Sequence, residues 1–233
     1  MLTEDYIARI IQQAVAALAQ AIGLRKSGQN LEALEVIQTA LQGLFGIPSS
    51  LLHQLEYSSI LDTMTREGTI DLDMVSVAAD LFREAGLIYE SLGQPARAES
   101  SNTRALHLFL ELAFMDIDSV SDELNQKIID TQQSIGKLLE LETTSGLFYY
   151  HRYKQNQVQA LEALDWMLEH SATLDPESVE EIRDYLHSLL EKPGFELQAE
   201  EIDRQEVKTR VAALTLIIDN LDNQNDNIHE SDG

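Results

Sequence analysis

Residues 78–108 read AADLFREAGLIYESLGQPARAESSNTRALHL, and the spacing inside this stretch decides the fold. Together with Val75 just upstream, Phe82, Ala85, Ile88, Tyr89 and Leu92 recur at three- and four-residue intervals or their sum, so they share one helix face, which must be buried. Gly93 follows the last periodic residue, where glycine adopts a left-handed C-cap most cheaply. Pro95 stands where a second helix begins and its missing N–H leaves no hydrogen bond unmade. The pattern predicts two antiparallel helices, with Ala98 facing Gly86 so that the backbones approach closely.

This hairpin resembles a tetratricopeptide repeat. Phe82, Gly86, Tyr89, Gly93, Ala98 and Ala105 stand where the 34-residue pattern has its first aromatic, first glycine, tyrosine, turn residue and two packing alanines. Asn102 stands where the family prefers a large aromatic, and no proline closes the unit, so the second helix is predicted to run on to Phe114. The same offsets recur around Gly28: Ala33 and Ala40 match Ala98 and Ala105, Ala21 falls in the slot of Gly86, and Gln20 takes a position the family buries. A third hairpin is drawn as Leu147 to Lys154 and Val158 to His170, joined at KQNQ, with Ala160 as its packing alanine. The turns at Gly28, Gly93 and Gln155 lie 65 and 62 residues apart, suggesting a hairpin plus one long helix used three times. The resemblance implies a peptide groove lined by the first helix of each hairpin. In the second hairpin its positions fall on Asp80, Arg83, Leu87 and Glu90, making Arg83, Leu87 and Glu90 the partner-binding candidates. In the first hairpin they fall on Leu18 and Ile22, an apolar pair suited to being covered by the chain itself or by a second subunit.

Outward from these hairpins the chain reads as helix throughout. A first helix capped by Thr3 carries Ile7, Ile10, Ile11, Ala14, Leu18, Ala21 and Ile22 inward, and a second from Asn30 carries Leu34, Ile37, Leu41 and Leu44 until Gly46 and Pro48 stop it. One helix is expected from Ser49 to Arg66, ended by Gly68, and another from Ser119 or Ser121 to Glu142 with Leu138 and Leu139 inward. Asp71 caps the helix of the central hairpin, and Asp175 with Pro176 opens one to Leu190 that KPG breaks; a last helix runs from Gln198 to Leu221. The expected class is all-α without a sheet: tetratricopeptide-like antiparallel hairpins packed as a helical repeat in a single domain, 1–221. An acidic tail, 222–233, has too little apolar surface to order.

Sixteen basic against forty acidic side chains give a formal charge of −24, which repels phosphate backbones and anionic lipid head groups, so neither nucleic acid nor membrane is an expected partner. Without cysteine there is no disulfide, thiolate metal site or cysteine nucleophile. The opening MLTEDY carries acids where a secretory signal carries positive charge, and no apolar run is read as approaching the ~20 residues of a membrane span, so the expected location is the cytoplasm. Residues 3–11, TEDYIARII, also resemble the start of a family of bacterial proteins of about this length with no assigned activity.

Chemistry-bearing residues are sparse. His107 with Glu111 and His187 with Glu191 sit four apart on helix faces, but two ligands do not make a metal site and no others are identifiable. The run FYYHRY, residues 148–153, cannot place all its rings on one face, which makes Tyr149, Tyr150 and Tyr153 interface candidates. Trp166 and Met167 are read as core. Phosphate loops, nucleophile elbows and zinc motifs are absent from the sequence. The expectation is therefore a non-enzymatic scaffold or adaptor that binds a protein or peptide, without cofactor or metal and able to form a homodimer. The alternative is a bacterial sensor that binds a small molecule or signalling peptide within its helical layers.

Overall fold

A computed structural model describes residues 2–52, 55, 57–66, 68–135, 141–170 and 174–231; for residues 2–4, 49, 50, 66 and 219–231 it describes the backbone alone. The Thr3 cap and the inward Leu138 and Leu139 lie outside the described side chains. Among the described residues the regular structure is helical apart from one ribbon of two two-residue strands. The chain divides into two compact units, Met1–Leu139 and Glu140–Gly233.

The first unit begins with α1 (Leu2–Lys26) and α2 (Asn30–Phe45), packed as a hairpin. Short helices α3 (Ser49–Leu52) and α4 (Tyr57–Met64) lead to an antiparallel ribbon, β1 (Thr65–Arg66) and β2 (Thr69–Ile70), in which Thr65 pairs with Ile70. Then come the central hairpin, α5 (Leu72–Ser91) and α6 (Pro95–Met115), a 3₁₀ turn at Ile117–Ser119, and α7 (Asp122–Gln133). Both α1 and α2 pack on α5, and α7 packs on α6. The core is centred on α5 and α6, where Val75, Leu81, Phe82, Ile88, Leu106, Leu108 and Phe109 are fully or almost fully buried.

The predicted turns are present and share one geometry. Gly28, Gly93 and Gln155 all have positive φ, at 83°, 68° and 59°. In each, the next residue's N–H reaches back five positions: Gln29 to Leu24 O at 2.9 Å, Gln94 to Tyr89 O at 2.9 Å and Asn156 to His151 O at 2.8 Å. This is the Schellman closure, which satisfies carbonyls that a helix end leaves open. The packing alanines Ala33, Ala98 and Ala160, each five residues after its turn residue, are all buried. Asp71 and Asp175 cap α5 and α10 by accepting from Met74 N and Ser178 N, at 3.1 and 2.9 Å.

Several boundaries differ from the sequence reading. Gly86 faces Asn102, not Ala98: a Cβ at Gly86 would have Asn102 Oδ1, Cγ and Nδ2 as its nearest neighbours. The helix expected over 49–66 is two helices, because the Arg104 guanidinium on α6 donates to Leu52 O at 3.3 Å and Leu55 O at 3.2 Å, holding carbonyls that a continuous helix would have used itself. The four-residue ribbon that follows was not foreseen but leaves the expected all-α class standing. The third hairpin's first helix starts at Leu141, six residues before the predicted Leu147, and the helix predicted to reach Glu142 ends instead at Gln133, capped at Ser134. On α1, only Ala14 and Ala21 of the predicted inward stripe are buried, while Ile7, Ile10, Ile11, Leu18 and Ile22 are half-buried. Over Asp5–Lys26 this helix is long and apolar enough, by length and composition alone, to cross a membrane, which corrects the reading that no such run exists.

In the second unit α8 (Leu141–Tyr153) and α9 (Gln157–Glu169) form the third hairpin, and α10 (Pro176–Glu191) and α9 pack against α12 (Arg204–Ser231). Between them α11 (Gly194–Ala199), unforeseen in the sequence, is pinned by Lys192 to Glu200 at 2.7 Å and by Arg204 donating to Leu190 O at 2.8 Å. The last helix begins at Arg204 instead of Gln198 and continues through Ser231, into the stretch expected to lack structure.

Candidate functional site

The face of α5 assigned to partner binding is engaged by the chain itself. Arg83 Nη2 donates to Asp130 Oδ2 on α7 at 3.0 Å, and Lys127 Nζ, three residues before Asp130 on the same helix, binds Asp80 at 3.0 Å. Asn102 Nδ2 donates to Glu90 Oε1 at 3.2 Å. Leu87 is half-buried. Thus α7 bridges the Asp80–Arg83 end of this face, and Arg83 pairs across helices.

The aromatic cluster of the second unit is mostly interior. Tyr150 is fully buried, with its hydroxyl pushed up to about 12 by burial, and it packs in the core, which corrects its assignment to an interface. Phe148 is fully buried and meets Tyr185 edge-on at 5.4 Å; Tyr185 donates its hydroxyl to Gln157 Oε1 at 2.6 Å. Tyr149 is half-buried beside Ser178 and Glu181, and burial raises its hydroxyl above the usual range. Tyr153 alone of the three candidates is exposed, at 46%. Met167 is buried, and half-buried Trp166 stacks on His170 at 4.0 Å.

Two histidines, His107 and His151, are buried in the packing. His107 lies under Tyr57 at 4.1 Å between ring centres, and burial, with a smaller effect from Arg104, lowers it to about 4. Burial lowers His151 likewise to about 4. Both are uncharged at neutral pH. Among the described residues, no three His, Asp or Glu side chains are grouped to hold a metal.

A cleft of about 610 Å³ runs along α1 and α2. Ile10, Gln13, Ala17, Gln20 and Leu24 follow one another at intervals of three and four along α1, with Ala14 beside them. Opposite, α2 contributes Glu32, Glu35, Val36, Thr39, Ala40 and Gly43. The centre is lined by Ala14, Ala17, Ala40 and Gly43, whose small size makes the surface concave. Tyr6, 58% exposed, lies one turn before Ile10 on the same face. The hairpin that carries the cleft is anchored from behind: Arg25 donates to both carboxylate oxygens of the buried Glu84 on α5, at 2.5 and 3.2 Å.

The central hairpin carries the corresponding surface in a packed state. Displacing Gln13, Ala17, Gln20, Val36, Ala40 and Gly43 by the 65-residue separation of the two turns gives Ala78, Phe82, Ala85, Ser101, Ala105 and Leu108, all of them buried. There α1 and α2 pack onto α5, and Phe45 of α2 meets Phe82 with ring centres 6.2 Å apart. On the first hairpin the corresponding residues are less covered: Gln13, Gln20 and Gly43 are exposed, and Ala17, Val36 and Ala40 half-buried. The sequence held a signal for this surface, Gln20 at a normally buried position, but by itself it reads only as a register fault. Comparison with protein-family models, with curated proteins and with solved structures finds no match for the chain.

Proposed function

We propose that the protein is a non-enzymatic interaction scaffold or adaptor of tetratricopeptide-like type that docks a helical segment of a partner protein in the α1–α2 cleft. The observation that carries this reading is the equivalence just described: on the central hairpin the α5 side of the corresponding surface is packed under α1 and α2, while on the first hairpin the corresponding residues are exposed or half-buried. Helices recognise one another by laying an apolar face into such a groove. The three turns of common geometry, with their buried alanines, support the helical-repeat reading. The proposed setting is the bacterial cytoplasm, with a protein partner and neither nucleic acid, membrane nor cofactor.

The test is partner capture from a lysate by the parent protein and by Ala17→Trp, which fills the cleft. The partner should be lost with the variant while helix content is kept. Equal recovery with both proteins would refute the cleft as the docking site. A second reading, a sensor for a small molecule or signalling peptide, draws on the cleft's volume, which lies within the range of ligand pockets. It predicts a bound metabolite released on denaturation of protein isolated from its own cells, whereas the docking reading predicts none.

A further inference from the structure

We infer that the occupant of the α1–α2 cleft is a cationic amphipathic helix, an inference that rests on the cleft being a docking site. The charged residues lining the cleft are Glu32 and Glu35, both exposed on the α2 wall. Glu32 accepts from the neutral Gln29 side chain at 2.7 Å, and neither carboxylate pairs with a cation among the described residues. These acids are not a feature of the hairpin pattern, since the corresponding positions on the central hairpin are Arg97 and Ser100. Gln13 and Gln20 give the opposite wall donors and acceptors where the central hairpin has Ala78 and Ala85. The cleft therefore combines a narrow apolar floor, polar edges and one acidic wall, within a chain of formal charge −24.

A helix laid along this floor spans Ile10 to Leu24, about 21 Å at 1.5 Å per residue, or roughly four turns. Apolar residues at heptad spacing would fill the depression over Ala14, Ala17, Ala40 and Gly43, as knobs enter holes between two helices. Lys or Arg on the flank facing α2 would meet Glu32 and Glu35 at the end of the cleft nearest the Gly28 turn. Long-range attraction to the acidic chain speeds the encounter, and the same field opposes a second copy of equal charge in this place.

The test uses three fluorescent helix-forming peptides of about 18 residues with Leu at heptad positions and Lys, Gln or Glu elsewhere, together with a scrambled Lys peptide. Binding to the full chain is read by anisotropy at 150 mM salt. The Lys peptide should bind at least tenfold more tightly than the Gln, Glu and scrambled peptides. Its affinity should fall at least tenfold in Glu32→Lys/Glu35→Lys and in Ala17→Trp, and stay within twofold in Glu162→Lys/Glu169→Lys. Gln13→Trp replaces Ala17→Trp if the latter loses helix content. Equal binding of the Gln and Lys peptides, both blocked by Ala17→Trp, would overturn the cationic assignment and leave the docking reading standing. Binding of the scrambled peptide equal to that of the Lys peptide, or no effect of the cleft-filling variants, would overturn both. A two-chain mass in sedimentation that Ala17→Trp returns to one chain would place a second copy in the cleft and overturn the proposal.

Discussion

Replacing Gly86 by alanine tests the close approach at the centre of the fold. An alanine Cβ would stand 1.9 Å from Asn102 Oδ1 and 2.6 Å from its Cγ, so the carboxamide must move by about 1 Å to reach a tolerable separation. Asn102 is 1% exposed, and moving it also disturbs its hydrogen bond to Glu90. Alanine in a helix interior gains about 1 kcal/mol over glycine. Overpacking costs about 1–3 kcal/mol and the weakened part-buried hydrogen bond about 1 kcal/mol, so the net loss expected is about 1–3 kcal/mol. At roughly 2–4 °C per kcal/mol for a chain of this size, the melting temperature should fall by several degrees. Urea unfolding followed by circular dichroism, on the parent, Gly86→Ala, Asn102→Ala and the double variant, isolates the contact. In the Asn102→Ala background the clash is gone, and Gly86→Ala should be neutral or stabilising, a coupling of about 2 kcal/mol. An equal cost of Gly86→Ala in both backgrounds would refute the close approach as its cause.

The two buried histidines make stability depend on pH. Their folded values near 4 lie below the ordinary 6.5, so the unfolded chain takes up protons first and stability is lost as pH falls from about 6.5 towards 4. The loss has an upper bound of about 3 kcal/mol for each histidine, and urea midpoints unchanged between pH 7 and 4.5 would contradict it. The turns should respond with opposite signs: Gln155→Gly relieves a left-handed non-glycine and should stabilise by about 0.5–1 kcal/mol, whereas Gly93→Ala should cost about 1 kcal/mol. Thermal melts check both, and a common sign would refute the shared turn geometry. Arg25→Ala strands the Glu84 carboxylate, which is 5% exposed, and should cost about 2–3 kcal/mol, while Arg25→Met/Glu84→Leu should recover most of that. Unfolding midpoints within error of the parent for Arg25→Ala would contradict the anchoring role.

How far the sequence could be read depended on whether the physics was local. Gly93, Pro95 and Asp71 act through their own backbone or their nearest N–H groups, so the central hairpin and its caps were legible. Asn102 also announced itself as a departure, yet its partner Gly86 lies across the helix crossing, and spacing alone chose Ala98. Arg104 breaks the predicted helix over 49–66 by capturing carbonyls some fifty residues earlier in the chain, a link no periodicity reveals. Glu201, at φ 59°, closes α11 with Ile202 N donating to Leu197 O at 2.8 Å, but a left-handed turn without glycine gives no residue signal. The surroundings of the groove residues implied by the tetratricopeptide resemblance were hidden for a similar reason: Asp130 of α7, which pairs with Arg83, lies 47 residues further along the chain, and the α1–α2 cleft is visible only beside its buried counterparts on the central hairpin.

Amide hydrogen exchange of the full chain, with and without a saturating Lys-bearing amphipathic peptide, tests the docking surface most directly. Added protection is expected on α1 between Ile10 and Leu24 and on α2 between Glu32 and Gly43, with α5 around Arg83, Leu87 and Glu90 unchanged. Protection centred on those α5 residues, with α1 and α2 unaffected, would contradict docking in the cleft.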